Sequence, residues 1–257
     1  MGKALKDGYR EKVRVATKSP IMMIKQAEDF DRCLDEQLER LQIDHIDFYL
    51  LHGLGKKSWE EKVLEMNLLD KLERAVRDGK VINVGFSFHD DFDAFKQIVD
   101  GYDKWDFCQI QYNYMDTENQ AGTGGLKYAA DKGLAVIVME PLLGGKLASP
   151  PEVVGEIIDR SGHGLTPAQL ALQWIWNHPE VTVVLSGMSS MEQVRDNINT
   201  ARQASANSLS NEQLATVEKV KEKYRERILI PCTKCSYCMP CPNGVEIPRS
   251  FEFYNSG

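Results

Sequence analysis

Residues 46–54 read Ile46-Asp47-Phe48-Tyr49-Leu50-Leu51-His52-Gly53-Leu54, and from Phe48 to Leu51 the run is unbroken apolar and aromatic sequence. Upstream lies the charged end of a helical segment, residues 38–44; downstream come Gly53 and Gly55. A short apolar run between such flanks predicts a strand buried on both faces, the condition that parallel sheets impose because crossover helices cover each side. The run ends in a histidine. A second strand, predicted over 13–18, ends in Lys18 just before Ser19-Pro20. In α/β barrels catalytic groups sit at the carboxyl ends of strands, which makes Lys18 and His52 candidate functional residues. For His52 alone the competing reading is a core imidazole bonded to backbone.

Outward from these two strands the chain alternates. Amphipathic spacing of Phe30, Leu34, Leu38 and Leu41 predicts a helix over 28–41. A further helix is predicted over 59–77, stopped at Asp78-Gly79-Lys80. Strands follow over 81–88, 107–113, 135–139 and 181–185, separated by helices over 91–99, 126–132, from Pro150-Pro151 onward, and from Thr166-Pro167 to about 177, the last opened by a cap-plus-proline start. Two serine-capped helices close the series, over 190–206 and 210–223. The glycines of 122–125 are too irregular for a phosphate loop and read as a flexible helix start. Six strands alternating with helices mean parallel β/α units in a wound sheet or a barrel. No Gly-x-Gly-x-x-Gly follows the first strand, which disfavours a Rossmann site. Polar residues recur instead at strand ends: Lys18, His52, Ser87, Gln109 with Asn113, and Ser186. That pattern predicts one site at a barrel mouth, although a closed barrel of this type has eight strands.

Composition narrows the function classes. The 257 residues carry 31 basic and 38 acidic side chains, a balance of −7 that gives no electrostatic ground for nucleic-acid binding. No run of 18 apolar residues predicts a membrane span, and the N-terminus lacks a secretion signal, so a cytoplasmic setting is expected. Of six cysteines, Cys33 and Cys108 read as buried small hydrophobes. Cys232, Cys235, Cys238 and Cys241 form a single run with two residues in each interval, the mark of a metal centre in a reducing compartment. Zinc ribbons split their ligands into two distant pairs, so the run fits a 4Fe-4S cluster better, with zinc as the alternative. Bacterial ferredoxins have three residues before the last cysteine where this chain has two, which sets Cys241 apart. His45, His163 and His178 read as surface or turn residues, Asp47 as a helix–strand junction residue, Trp174 and Trp176 as helix packing. His89 follows the Ser87 strand end near the expected pocket.

The motifs A-T-K-S-P, D-F-Y-L-L-H-G, V-G-F-S-F-H, Q-I-Q-Y-N, M-E-P-L-L-G-G-K-L and V-L-S-G-M-S-S, in that order, resemble the successive strand ends of the aldo/keto reductases over roughly residues 2–200. The resemblance implies a (β/α)8 TIM-barrel fold, a nicotinamide cofactor, NADP(H) or NAD(H), laid across the strand ends, and hydride transfer to a small-molecule carbonyl substrate. By the same resemblance Lys18 and His52 match the family's active-site lysine and histidine. Ser87 and Gln109 match positions that hydrogen-bond the nicotinamide amide, and Met139 falls where many members stack an aromatic ring. Gly187, Met188, Ser189, Gln193 and Asn197 match the segment that wraps the adenosine phosphates. Relatives preferring the 2′-phosphate carry basic residues there; Gly187 and Gln193 stand here, with Arg195 nearby.

Departures from the family pattern set further expectations. The family's aspartate and acid tyrosine precede a segment like Gly2-Lys3-Ala4-Leu5-Lys6, so the first two strands with those residues are expected to be absent, and Tyr9 falls after that segment. The sheet is then expected to stay open with two long hydrophobic edges, and the chain as given to be inactive. A subgroup of the family resembles this chain in carrying a ferredoxin-like extension with P-C-P-x-G-V-x-I-P, usually followed by a second cysteine motif. Truncation at both ends is the resulting expectation. The division expected is a partial barrel over 1–226 and an incomplete cysteine-rich segment over 227–257. The leading function is a nicotinamide-linked carbonyl reductase with an iron–sulfur segment. The alternative is a non-catalytic scaffold or a module docking an electron-transfer partner.

Overall fold

The computed structural model describes residues 1–230 and 238–256. Six strands form one parallel sheet in chain order: β1 (Ala16–Ser19), β2 (Ile46–Leu54), β3 (Val81–Phe88), β4 (Phe107–Gln111), β5 (Ala135–Met139) and β6 (Val181–Val184). The chain returns between them through α1 (Glu28–Leu41), the single turn α2 (Lys56–Ser58), α3 (Leu68–Arg77), α4 (Phe92–Asp100), α5 (Gly122–Asp131), α6 (Glu152–Arg160) and α7 (Pro167–Trp176). Beyond β6 come α8 (Met191–Gln203), α9 (Asn211–Glu226) and α10 (Ile247–Ser256). No helix among the described residues is long and apolar enough to cross a membrane.

Alternation along each strand separates two faces. Tyr49, Leu51, Val84, Phe86, Phe88, Cys108, Ile110, Val136 and Val138 enter the main core under the helices. The opposite face carries Phe48, Leu50 and Phe107, with the Phe48 and Phe107 rings edge to face at 5.5 Å. They meet across Gly85, which is in register with both Leu50 and Phe107; a Cβ there would lie 2.8 Å from the Phe107 ring. Helix starts follow their caps: Thr166 with Gln169, Ser190 with Gln193 and Ser210 with Gln213 each form a reciprocal capping box.

Several boundaries differ from the sequence reading, each for a local reason. The first strand is Ala16–Ser19 rather than 13–18. The Val15 N–H donates to the Asp47 carboxylate at 2.8 Å, so a side chain takes the place of a ladder partner there. The helix expected over 59–77 is broken: Trp59–Leu64 is wound as a π-helix, Asn67 is left-handed at φ 53°, and α3 starts at Leu68. Trp59 and Val63 are buried, and so are Leu68 and Leu72. A continuous helix would set those two pairs about 180° apart, on opposite faces, so the chain turns to bury both. β4 stops at Gln111 because the Asn113 side chain accepts the N–H groups of Met115 and Asp116, both at 3.0 Å, closing a turn. Gly122–Gly125 are the first turn of α5, with Gly125 set against Ala121 and Phe95. The sheet has two open edges, but they are short: β1 and β6 have four residues each. Short edge strands limit sheet-to-sheet pairing. Cys108 is fully buried as expected, whereas Cys33 is only half-buried.

Candidate active site

The carboxyl ends of β1 to β4 bring the expected residues to one mouth. Lys18 is in register with Leu50, and His52 follows Leu50 by two residues on the same face of the adjacent strand. β2 then loses register between Leu51 and Leu54, with Gly53 at φ 70°. The Ser87 hydroxyl, fully buried, accepts the Gly53 N–H at 2.8 Å, and the His89 N–H donates to the Leu54 carbonyl at 2.9 Å. These two bonds hold the end of β3 against the end of β2. Gln109 is buried on β4 and directs its amide N–H to the Met139 sulfur at 3.1 Å, which links β4 to the end of β5.

Electrostatics join the basic groups. Burial lowers the Lys18 pKa from its ordinary value. The His52 imidazole is lowered by the protein around it and then by the charges of Lys18 and His89; His89 is lowered by its surroundings and by Lys18. Both shifts favour the neutral imidazole, which has one N–H to donate. Lys18 forms no ion pair among the described residues. The tyrosine of β2, Tyr49, points the other way, packing edge-on against Phe30 at 6.0 Å.

Beside this mouth, at the ends of β5 and β6, lies a cleft of about 530 Å³ whose lining includes Met139, Glu140, Gly144, Gly145, Ser186 and Gly187. A Cβ added at Gly144, Gly145 or Gly187 would meet nothing within 4 Å, so this wall is bare backbone facing open space. The exposed residues Gly187, Met188 and Ser189 lead from β6 into α8. Gln193 accepts from the Ser189 N–H at 2.8 Å, and Asn197 donates to the Ser186 hydroxyl at 3.0 Å, which shapes that approach. Of the residues expected to bind cofactor, Met139 and Gly187 line the cleft, Gln109 reaches it through Met139, and Met188, Ser189, Gln193 and Asn197 lie on the segment that follows Gly187.

Glu140 and the Gly144-Gly145 pair were not among the residues singled out from sequence. The Gly-Gly dipeptide was the available signal, since both residues sit at positive φ, 62° and 92°. Of the other histidines, His45 Nε2 accepts from Arg10 at 2.9 Å and His178 Nδ1 lies 2.9 Å from the Trp174 carbonyl, both far in role from the mouth. Asp47 is a junction residue as read, buried and paired with Arg10 at 2.7 Å.

Cys232 and Cys235 lie outside the described residues. Cys238 and Cys241 are free thiols, exposed and half-buried respectively. Among the described residues no group of three or more His, Cys, Asp or Glu side chains is arranged to hold a metal.

Comparison with known proteins converges on one family. The sequence model of the Aldo/keto reductase family matches residues 1–222. L-galactose dehydrogenase of Arabidopsis thaliana is 27% identical over 210 residues, covering 76% of this chain and 65% of that protein. NADH-specific methylglyoxal reductase of Escherichia coli (strain K12) is 26% identical over 244 residues, covering 77% and 72%. The crystal structure of an aldo-keto reductase from Klebsiella pneumoniae in complex with NADPH has a TM-score of 0.66 at 26% identity, covering 86% of this chain and 73% of that one. The chain spans 65%, 57% and 49% of three of its curated relatives, about half to two thirds of their length.

Proposed function

The chain belongs to the aldo/keto reductase family, and on that premise we propose that it binds a reduced nicotinamide nucleotide and directs hydride to a small carbonyl substrate. The observation carrying this reading is the meeting of Lys18, His52, Ser87 and Gln109 at adjacent strand ends beside a backbone-lined cleft. The cleft fits the group: its glycine wall lets a nucleotide backbone approach closely, and the NADPH held by the Klebsiella relative and the NADH named for the Escherichia relative support either nucleotide. The nucleotide supplies hydride when bound.

The chain's own residues take the remaining roles. The Lys18 ammonium and the neutral His52 imidazole offer N–H donors to the carbonyl oxygen, where negative charge grows as hydride arrives. Ser87 accepts one N–H, from Gly53, which leaves its O–H donor and a second lone pair for a nicotinamide amide. Gln109 and Met139 sit against each other, where they would hold the nicotinamide when it is bound. Gly187, Met188, Ser189, Gln193 and Asn197 would hold the nucleotide's other end; this region presents Ser and Gln side chains together with the exposed Arg195. Cys232, Cys235, Cys238 and Cys241 are assigned to a 4Fe-4S cluster on the chemistry of four closely spaced thiolates, zinc being the alternative. The barrel-type unit over 1–226 and the cysteine-rich segment over 227–257 are then separate modules.

The test is turnover of reduced nicotinamide by the purified chain with a panel of aldehydes and ketones. Reduction that falls at least about a hundredfold in Lys18→Met and in His52→Ala supports the assignment. Nucleotide binding without any Lys18-dependent reduction would instead favour the non-catalytic alternative.

A further inference from the structure

We propose that Tyr224 is a positioning residue for nucleotide binding, acting through the loop that follows β5; the inference rests on the cofactor cleft assigned above. This loop runs over residues 140–149 and lines the cleft with Glu140, Gly144 and Gly145. Its backbone is unusual: Glu140, Leu143, Gly144 and Gly145 all have positive φ, at 54°, 49°, 62° and 92°. Glu140 and Leu143 adopt a conformation that side chains disfavour, so contacts elsewhere must hold it.

Inside the loop the Glu140 carboxylate accepts the Gly144 N–H at 2.7 Å, and the Gly145 N–H donates to the Leu142 carbonyl at 2.9 Å. Leu147 is fully buried and anchors the far side. Two polar contacts reach the loop from outside: the Asn113 amide donates to the Glu140 carbonyl at 3.1 Å where the loop begins, and the Tyr224 hydroxyl donates to the Lys146 carbonyl at 3.0 Å from the last turns of α9, 78 residues away in sequence. The Tyr224 ring packs against the main core, so the hydroxyl is delivered from a fixed element. Burial pushes its pKa up, which keeps it a protonated donor through the neutral range.

Gly145 precedes Lys146 directly, so this bond ends one residue from the cleft wall. A loop held in its binding shape loses less conformational freedom when the nucleotide arrives. Releasing the anchor lets the strained backbone relax in the free protein, and re-forming it then weighs against binding. The consequence falls on nucleotide affinity, with no contact between Tyr224 and the reacting atoms.

The experiment is Tyr224→Phe in the full chain, which keeps the ring and removes the hydroxyl. Dissociation constants for NADPH and NADH are measured by calorimetry beside the wild type, with thermal unfolding of both proteins without nucleotide. The expected result is a rise of about five- to tenfold in the dissociation constant of the preferred nucleotide, and in an active preparation a matching rise in its KM with kcat and carbonyl KM held. An unchanged dissociation constant, with or without a lowered unfolding midpoint, overturns the role of Tyr224 and makes the bond merely structural. A wild-type chain that binds neither nucleotide overturns the cleft assignment itself, and this inference with it.

Discussion

Ser87 accepts the backbone N–H of Gly53 at 2.8 Å, and Gly53 is the residue immediately after His52. One buried hydroxyl thus closes the irregular end of β2 and sets the direction in which the His52 imidazole leaves the strand. The residue matched to nicotinamide recognition is at the same time a structural tie between two strands.

Ser87→Ala should therefore do more than weaken nucleotide binding. It leaves a part-buried N–H without its acceptor, a cost of about 1–3 kcal/mol. Denaturant unfolding should show that loss in the absence of any nucleotide. Stability equal to wild type would mean that water replaces the hydroxyl and that Ser87 serves the ligand alone.

Lys18 lowers the pKa of both His52 and His89. Removing its charge by Lys18→Met should raise both imidazoles, which histidine C–H resonances followed through a pH titration would register. Because burial acts on each independently, neither should rise above the ordinary histidine value. Unmoved titrations would place the ammonium too far from the imidazoles to share a substrate oxygen with them.

Asp47 governs the opposite end of the sheet. Burial raises its pKa, but the Val15 N–H and the Arg10 guanidinium overcome that and leave it below the ordinary value of 3.8. A carboxylate lowered by folding contributes stability above its unfolded pKa and loses that contribution as pH falls through the folded value. The loss should begin below about pH 4. Asp47→Asn strands the part-buried Arg10 charge and should cost about 3 kcal/mol at pH 7, while flattening the acid limb of the stability profile. A variant with an unaltered acid limb would assign acid sensitivity to other carboxylates.

The four-cysteine run has its own readout. Anaerobic reconstitution with iron and sulfide should give broad visible absorbance that Cys238→Ser abolishes, with circular dichroism of the barrel-type unit unchanged. Zinc without iron in anaerobically purified protein would reassign the four thiolates to a zinc site.

The sheet and its polar mouth were legible because burial on both faces writes a strong local signature. The apolar run 48–51 could serve only as a central parallel strand, and Lys18, His52, Ser87 and Gln109 each stood where such a strand runs out. Capped helices were equally plain, since Thr166 with Gln169 and Ser190 with Gln193 satisfy orphan N–H groups within four residues. Breaks in regular structure were not legible. Asn67 turns left-handed because two buried pairs, Trp59 with Val63 and Leu68 with Leu72, face the core from different directions. The late start of β1 depends on Asp47, 32 residues beyond Val15.

Alone, then, the sequence determined which segments are strands, that they are parallel, and which side chains stand at their carboxyl ends, because hydrophobic period and caps act over a few residues. Tertiary structure decided how those ends are joined: the Ser87 tie to Gly53, the Lys18 field on two imidazoles, and the Tyr224 hydroxyl on the cleft loop. Each of these is an interaction between residues 34 or more apart in the chain, and distances across such separations are set by the packing of helices on the sheet rather than by any local pattern.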